Sequence, residues 1–198
     1  MDLVARAQGI LLKPKEEWTK IKDETITISE LFTSYAIILA AIPAVAQFIG
    51  LGLIGFGRPY GGWARYGIGR AFFFGILFYI LALASVYVFG LVINLLAPSF
   101  SSKQDSVNAM KLAVYCMTPS WVAGVLYLIP LLGFLALIAG LYGIYILYLG
   151  FATPLMDTPK EKVVVYMVVS VIVYIVIWIV ITLILGSIFA VGAVTGAI

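Results

Sequence analysis

The chain has 198 residues, of which 64% are hydrophobic and 11% charged, with a mean hydropathy of +1.14. An average soluble domain is roughly 45–50% apolar and about 25% charged, and no globule this small hides so much apolar surface from water, so the solvent must be lipid. The absence of histidine excludes a His base, metal site or proton relay, the single Cys116 excludes an internal disulfide, and a scattered net charge of +3 gives no nucleic-acid footprint.

The N-terminal stretch MDLVARAQGILLKPKEEW lacks a long apolar core before a small-residue cleavage site, so it does not read as a signal peptide. Leu3, Val4, Ala7, Ile10 and Leu11 recur at helical spacing as one apolar stripe. Pro14 then opens a second short helix, with Glu16 and Glu17 in its first turn and Trp18 and Ile21 on one face. Two placements are open for this amphipathic segment, 1–29. It lies in the headgroup region anchored by Trp18, or it packs on the helix ends of its own bundle. With five basic and six acidic residues through Glu30, it is no polybasic lipid clamp.

From there the charges are segregated: none occurs in 31–57, 71–102, 112–156 or 163–198. A span needs about 20 apolar residues to cross a hydrocarbon core of roughly 30 Å. The first and second stretches therefore supply spans at about 31–56 and 71–97. The third would make a helix of about 68 Å at 1.5 Å per residue, so it must fold back. Pro130 lacks a backbone donor and Gly133 follows it, which places the turn there. This gives spans at about 112–129 and 131–155, and the last stretch supplies a fifth at about 163–189. Thr27–Glu30 and Thr158–Glu161 both read as capping boxes, the second with Pro159 at the first helical position. Tyr60, Trp63 and Tyr66 suit a membrane–water interface.

Five spans place nine basic residues on one side, from Arg6 to Lys162, against Arg58, Arg65 and Arg70 on the other. That bias puts the N-terminus in the cytoplasm and the C-terminus outside. The expected architecture is an all-α integral membrane protein, a five-transmembrane-helix bundle over 30–198 with a cytoplasmic amphipathic N-terminal segment.

Uncharged spans argue against pumps, coupled transporters and voltage sensors, which place ionisable groups in the bilayer. Polar candidates inside are Gln47, Asn94, Cys116, Thr118, Ser120 and Thr153. Gln47 and Asn94 either bridge helices or mark a polar site. In the third span, Pro119 cannot pair with the Tyr115 carbonyl four residues back, so a kink is expected, with Thr118 as replacement donor. Tyr115, Thr118 and Pro119, with Asn94, are the candidate binding residues. In the fourth span Gly133, Ala136, Gly140, Gly143 and Gly150 fall on one face and Tyr142, Tyr145 and Tyr148 on the other. Such a glycine face suits close helix packing, within the bundle or between copies. Acid–base or nucleophilic catalysis needs a positioned base, and no candidate nucleophile has one at its depth. No enzyme, cofactor or metal is expected.

Several of these residues carry a resemblance. Arg6-Ala7, Ile10-Leu11, Pro14, Trp18 and Ile21 resemble the N-terminal signature of prokaryotic members of the Yip family, the Ypt/Rab-interacting membrane proteins. The Tyr115–Pro119 stretch is similar to the family's GYxLxP element, with Val114 in place of the Gly and Met117 in place of the Leu. Leu128-Ile129-Pro130 before a Gly- and Tyr-rich span, and Leu155-Met156 after it, are also similar, so the resemblance covers nearly the whole chain. It implies a five-span helical domain with a cytoplasmic N-terminus. Eukaryotic members bind prenylated small GTPases at ER and Golgi membranes; a prokaryotic member implies no such cycle. The expected function is a non-enzymatic membrane protein that scaffolds partners or organises lipid. The alternative is a small channel, carrier or scramblase for lipids or weakly polar solutes. Expected partners are membrane lipids and either further copies of the chain or other membrane proteins.

Overall fold

The computed structural model describes residues 2–57, 63–65 and 67–195. Arg58, Tyr60 and Tyr66 lie outside the described residues. Among the described residues, two short helices, α1 (Leu3–Leu12) and α2 (Pro14–Asp23), precede five helices long and apolar enough to cross a bilayer. These are α3 (Ile28–Ile54), α4 (Ile68–Phe100), α5 (Ser106–Leu128), α6 (Leu135–Ala152) and α7 (Lys160–Thr195). Between α3 and α4, Phe56–Gly57 pairs antiparallel with Trp63–Ala64.

Local chemistry sets the ends. Thr27 and Glu30 form a reciprocal capping box at the start of α3. Asp105 accepts the Asn108 amide at 2.9 Å and starts α5 at Ser106, ahead of the expected 112. No such box forms at Thr158: α7 begins at Lys160, and the Thr158 hydroxyl accepts a hydrogen bond from Ser102 instead. Ser101, at φ 57°, closes α4 in a left-handed conformation, with Ser102 N–H on the Ala97 carbonyl and its own N–H on Pro98. Between α5 and α6 the chain turns through a 3₁₀ segment, Pro130–Leu132, with Gly133 half-buried in the connection.

The bundle packs around α4 and α5. Helix α4 contacts α3, α5 and α7, and α6 packs across α5 and α7. The largest core cluster joins α3, α4, α5 and α6 to Ala7, Ile10, Trp18 and Ile21 of the N-terminal helices. Helices α1 and α2 therefore form a hairpin docked on the bundle, the second of the two placements left open above. Trp18 is 1% exposed and its indole N–H donates to the Ile146 carbonyl at 3.0 Å. It anchors the hairpin to α6, not to headgroups. The stripe is only partly used, since Val4 stays exposed.

The glycine face of α6 is uneven. A Cβ on Gly143 would lie 2.6 Å from the Cys116 carbonyl oxygen, and one on Gly150 would collide with Leu112 and Trp18. At Gly140 the nearest atom would be Ser120 Oγ at 3.7 Å, ordinary contact, so Gly140 is not at the close approach. On the opposite face Tyr142 donates to the Leu11 carbonyl at 2.8 Å, whereas Tyr145 and Tyr148 are exposed.

Candidate functional site

The site grows from the break in α5. Cys116 and Met117 form a turn between the helical stretches Ser106–Tyr115 and Thr118–Ala123, with Pro119 in the first turn of the second. The Tyr115 carbonyl, to which Pro119 four residues on has no N–H to offer, accepts the Thr118 hydroxyl at 2.8 Å. A threonine has one hydroxyl proton, so the 2.8 Å contact between Thr118 Oγ1 and Tyr35 OH is donated by the tyrosine. Tyr35, Tyr115 and Thr118 are all fully buried. Tyr35 reaches them from α3.

Three aromatic or cationic groups then surround the Tyr115 ring. Tyr35 meets it edge-on at 5.0 Å between centroids and Trp18 edge-on at 6.0 Å. The Arg6 guanidinium carbon lies 5.8 Å from the ring centroid, within cation–π range. Arg6 also bridges Glu17 at 2.7 Å and Glu24 at 2.8 Å. Lys20 meets the other oxygen of Glu17 at 2.9 Å. Glycine at position 9 leaves the room that the Glu17 carboxylate fills.

From α5, Lys111 completes the arrangement. It is 2% exposed, and its ammonium donates to the carbonyls of Ile21 at 2.9 Å and Glu24 at 2.7 Å. Those carbonyls end α2, so the cation sits at the negative end of a helix dipole. Arg6 and Lys20 are met by Glu17 and Glu24 and Lys111 by helix-end carbonyls, and the chemistry this supports is clamping: a two-helix hairpin held over the kink of α5.

Asn94 stands apart from this cluster. Its side-chain amide donates to Ser106 Oγ at 3.1 Å, its backbone carbonyl accepts Gln104 Nε2 at 3.2 Å, and its Oδ1 is buried without a partner among the described residues. It ties the end of α4 to the start of α5. The sequence reading missed Tyr35, Glu17, Glu24 and the inward turn of Arg6 and Lys111. A signal existed for Arg6 and Glu17, because each stands four residues before an apolar residue of its stripe, Ile10 and Ile21.

A separate cavity of about 500 Å³ opens between α6 and α7 on the far side of the kink.

The sequence model of the Yip1 domain matches residues 9–195, nearly the whole chain. The chain belongs to the Yip1 domain family. Two curated relatives, each named inner membrane protein YohC, come from Escherichia coli strain K12 and from strain O6:H1 CFT073. Each is 32% identical over 156 residues, covering 77% of this chain and 80% of the relative. No solved structure matches the chain significantly. The Yip1 match takes in the α2, α5 and α6 residues of the clamp and the cavity. Membership, the relatives' name and the five apolar helices together support a multi-pass inner membrane location.

Proposed function

We propose that the protein is a non-enzymatic scaffold of the inner membrane that holds its N-terminal hairpin as a fixed platform for protein partners and membrane lipids. The observation that carries this reading is the use made of its buried charge. Arg6, Glu17, Glu24 and Lys111 are consumed in fastening α1 and α2 to the bundle. Coupled transport needs such groups to bind and release a solute; here they are held by one another and by helix-end carbonyls. In this reading 1–29 is a cytoplasmic segment, 30–198 is the membrane domain, and the lysine bias sets the N-terminus inside and the C-terminus outside. Tyr115, Thr118 and Pro119 support the platform from below, and Asn94 braces α4 against α5.

The test is reconstitution. Purified protein in vesicles of phosphatidylethanolamine and phosphatidylglycerol gives no solute flux above protein-free vesicles, while crosslinking in intact cells captures discrete partners or further copies of the chain. Robust flux would end the scaffold reading in favour of a channel or carrier. One observation favours the second reading, a lipid carrier or scramblase: the cavity open between α6 and α7. Fast lipid scrambling in the same vesicles would select it.

A further inference from the structure

The cavity between α6 and α7 has a shape that its surroundings explain. Its walls run along α6 from Ala136 to Leu147 and along α7 from Val171 to Thr182. Each wall spans twelve residues, a rise of about 16 Å at roughly 1.5 Å per residue. That is half of a hydrocarbon core of roughly 30 Å, the depth of one leaflet. Tyr127, one residue before the end of α5, lines it at the end of that helix away from the N-terminal hairpin. Its volume of about 500 Å³ is within the range of roughly 300–1,000 Å³ typical of ligand pockets.

Leu137, Ile175 and Ile179 line the cavity and are 73%, 51% and 52% exposed on the outer surface, so it opens sideways to lipid. Its back wall is aromatic, with Trp121 and Tyr174, the latter hydrogen-bonded to Trp178 and to Met117 Sδ. Gly140 is what keeps the slot open at mid-height, since a Cβ there meets nothing closer than Ser120 Oγ at 3.7 Å. An apolar slot one leaflet deep that opens toward hydrocarbon is filled by what that leaflet contains.

We propose that this slot is a binding site for a single acyl chain of a membrane lipid in the leaflet opposite the N-terminal hairpin, with the chain's glycerol end at Tyr127 and Thr182. The inference rests on the five-span fold alone and holds whether the protein scaffolds partners or moves lipid.

The probe is phosphatidylethanolamine carrying a photoactivatable diazirine at mid-chain, incorporated in phosphatidylethanolamine–phosphatidylglycerol vesicles with the intact protein. Labelling is expected at Trp121 and Tyr174 themselves, read residue by residue, since Trp121 is only 5% exposed to annular lipid. Gly140→Phe fills the slot and cuts this labelling by about tenfold or more, the discrimination a single surplus methylene brings in an apolar pocket. Leu141→Phe, on the lipid-facing side of α6, leaves it unchanged. Labelling confined to exposed residues such as Leu137 and Leu141, equal in all three proteins, would overturn the site. Should Gly140→Phe fail to stay monodisperse, chain-brominated lipid decides with wild type. Quenching that falls in Trp121→Phe supports the slot, and quenching equal in the two proteins refutes it. Neither result depends on flux or scrambling.

Discussion

Thr118 has a single hydroxyl proton and two neighbours that need it to be placed correctly. Given to the Tyr115 carbonyl, it leaves the oxygen free to accept from Tyr35. Thr118→Val keeps the shape and removes both bonds, taking a hydroxyl partner from a buried carbonyl and from a buried phenol. Stranded polar groups cost about 1–3 kcal/mol each, although polar pairs inside membranes average nearer 0.6 kcal/mol. Thr118→Val should therefore lower stability by about 2 kcal/mol and Tyr35→Phe by about 1 kcal/mol, read as thermal unfolding in detergent. Ser101 offers the opposite sign. Its left-handed backbone at φ 57° is strained for any residue with a Cβ, so Ser101→Gly should stabilise the end of α4 by up to about 1 kcal/mol. The loss of the exposed Lys162 contact to its hydroxyl offsets only a little of that.

Among the elements, the N-terminal hairpin and the α5–α6 contact carry the sharpest consequences. Removing one partner of a buried ion pair costs about 3–5 kcal/mol when the other is left charged. Arg6→Ala leaves Glu17, whose side chain is 7% exposed, with only the solvent-facing Lys20. Amide exchange in α1 and α2 should then quicken strongly, while α4 and α5 stay protected. Lys111→Met should do the same more mildly, since hydrogen bonds from a charged group are worth about 1.5–3 kcal/mol. Equal loosening of the whole bundle would mean that the hairpin is an integral part of its core.

The α6 glycines separate by geometry. Gly143→Ala must push a Cβ against the Cys116 carbonyl and should cost about 1–3 kcal/mol, whereas Gly140→Ala should be near neutral. The α6 period was legible in the sequence as one small-residue face. Which glycines touch backbone was not, because the face curves past α5 and only its inner half meets Cys116 and Leu112. The hairpin's docking was likewise hidden. An apolar stripe with one tryptophan suits a headgroup layer and a bundle surface equally well, and only the Ile146 carbonyl facing the Trp18 indole decides between them.

At the scale of the molecule, long charge-free stretches made the count of five spans legible, since lipid leaves a spanning backbone no alternative to helix. The clamp was less so. Its members are spread from Arg6 to Thr118, and pairing between them appears only when α1 and α2 fold back onto α3, α5 and α6. Arg6 and Lys111, counted from sequence among the nine basic residues of the cytoplasmic side, are spent inside the fold, which leaves the topology resting on the remaining lysines and arginines. If all five helices cross, Arg65 and Lys160 lie on opposite sides of the membrane, and Phe134, exposed just before α6, on the side of Arg65. The native thiol does not interfere: Cys116 is 2% exposed and donates to the Ala113 carbonyl, a bond that Cys116→Ser keeps. In that background Arg65→Cys and Phe134→Cys should react with an impermeant maleimide in intact cells, and Lys160→Cys only after permeabilisation. The reverse pattern would invert the orientation drawn from the lysine bias, and labelling of all three from one side would refute the five-span count itself.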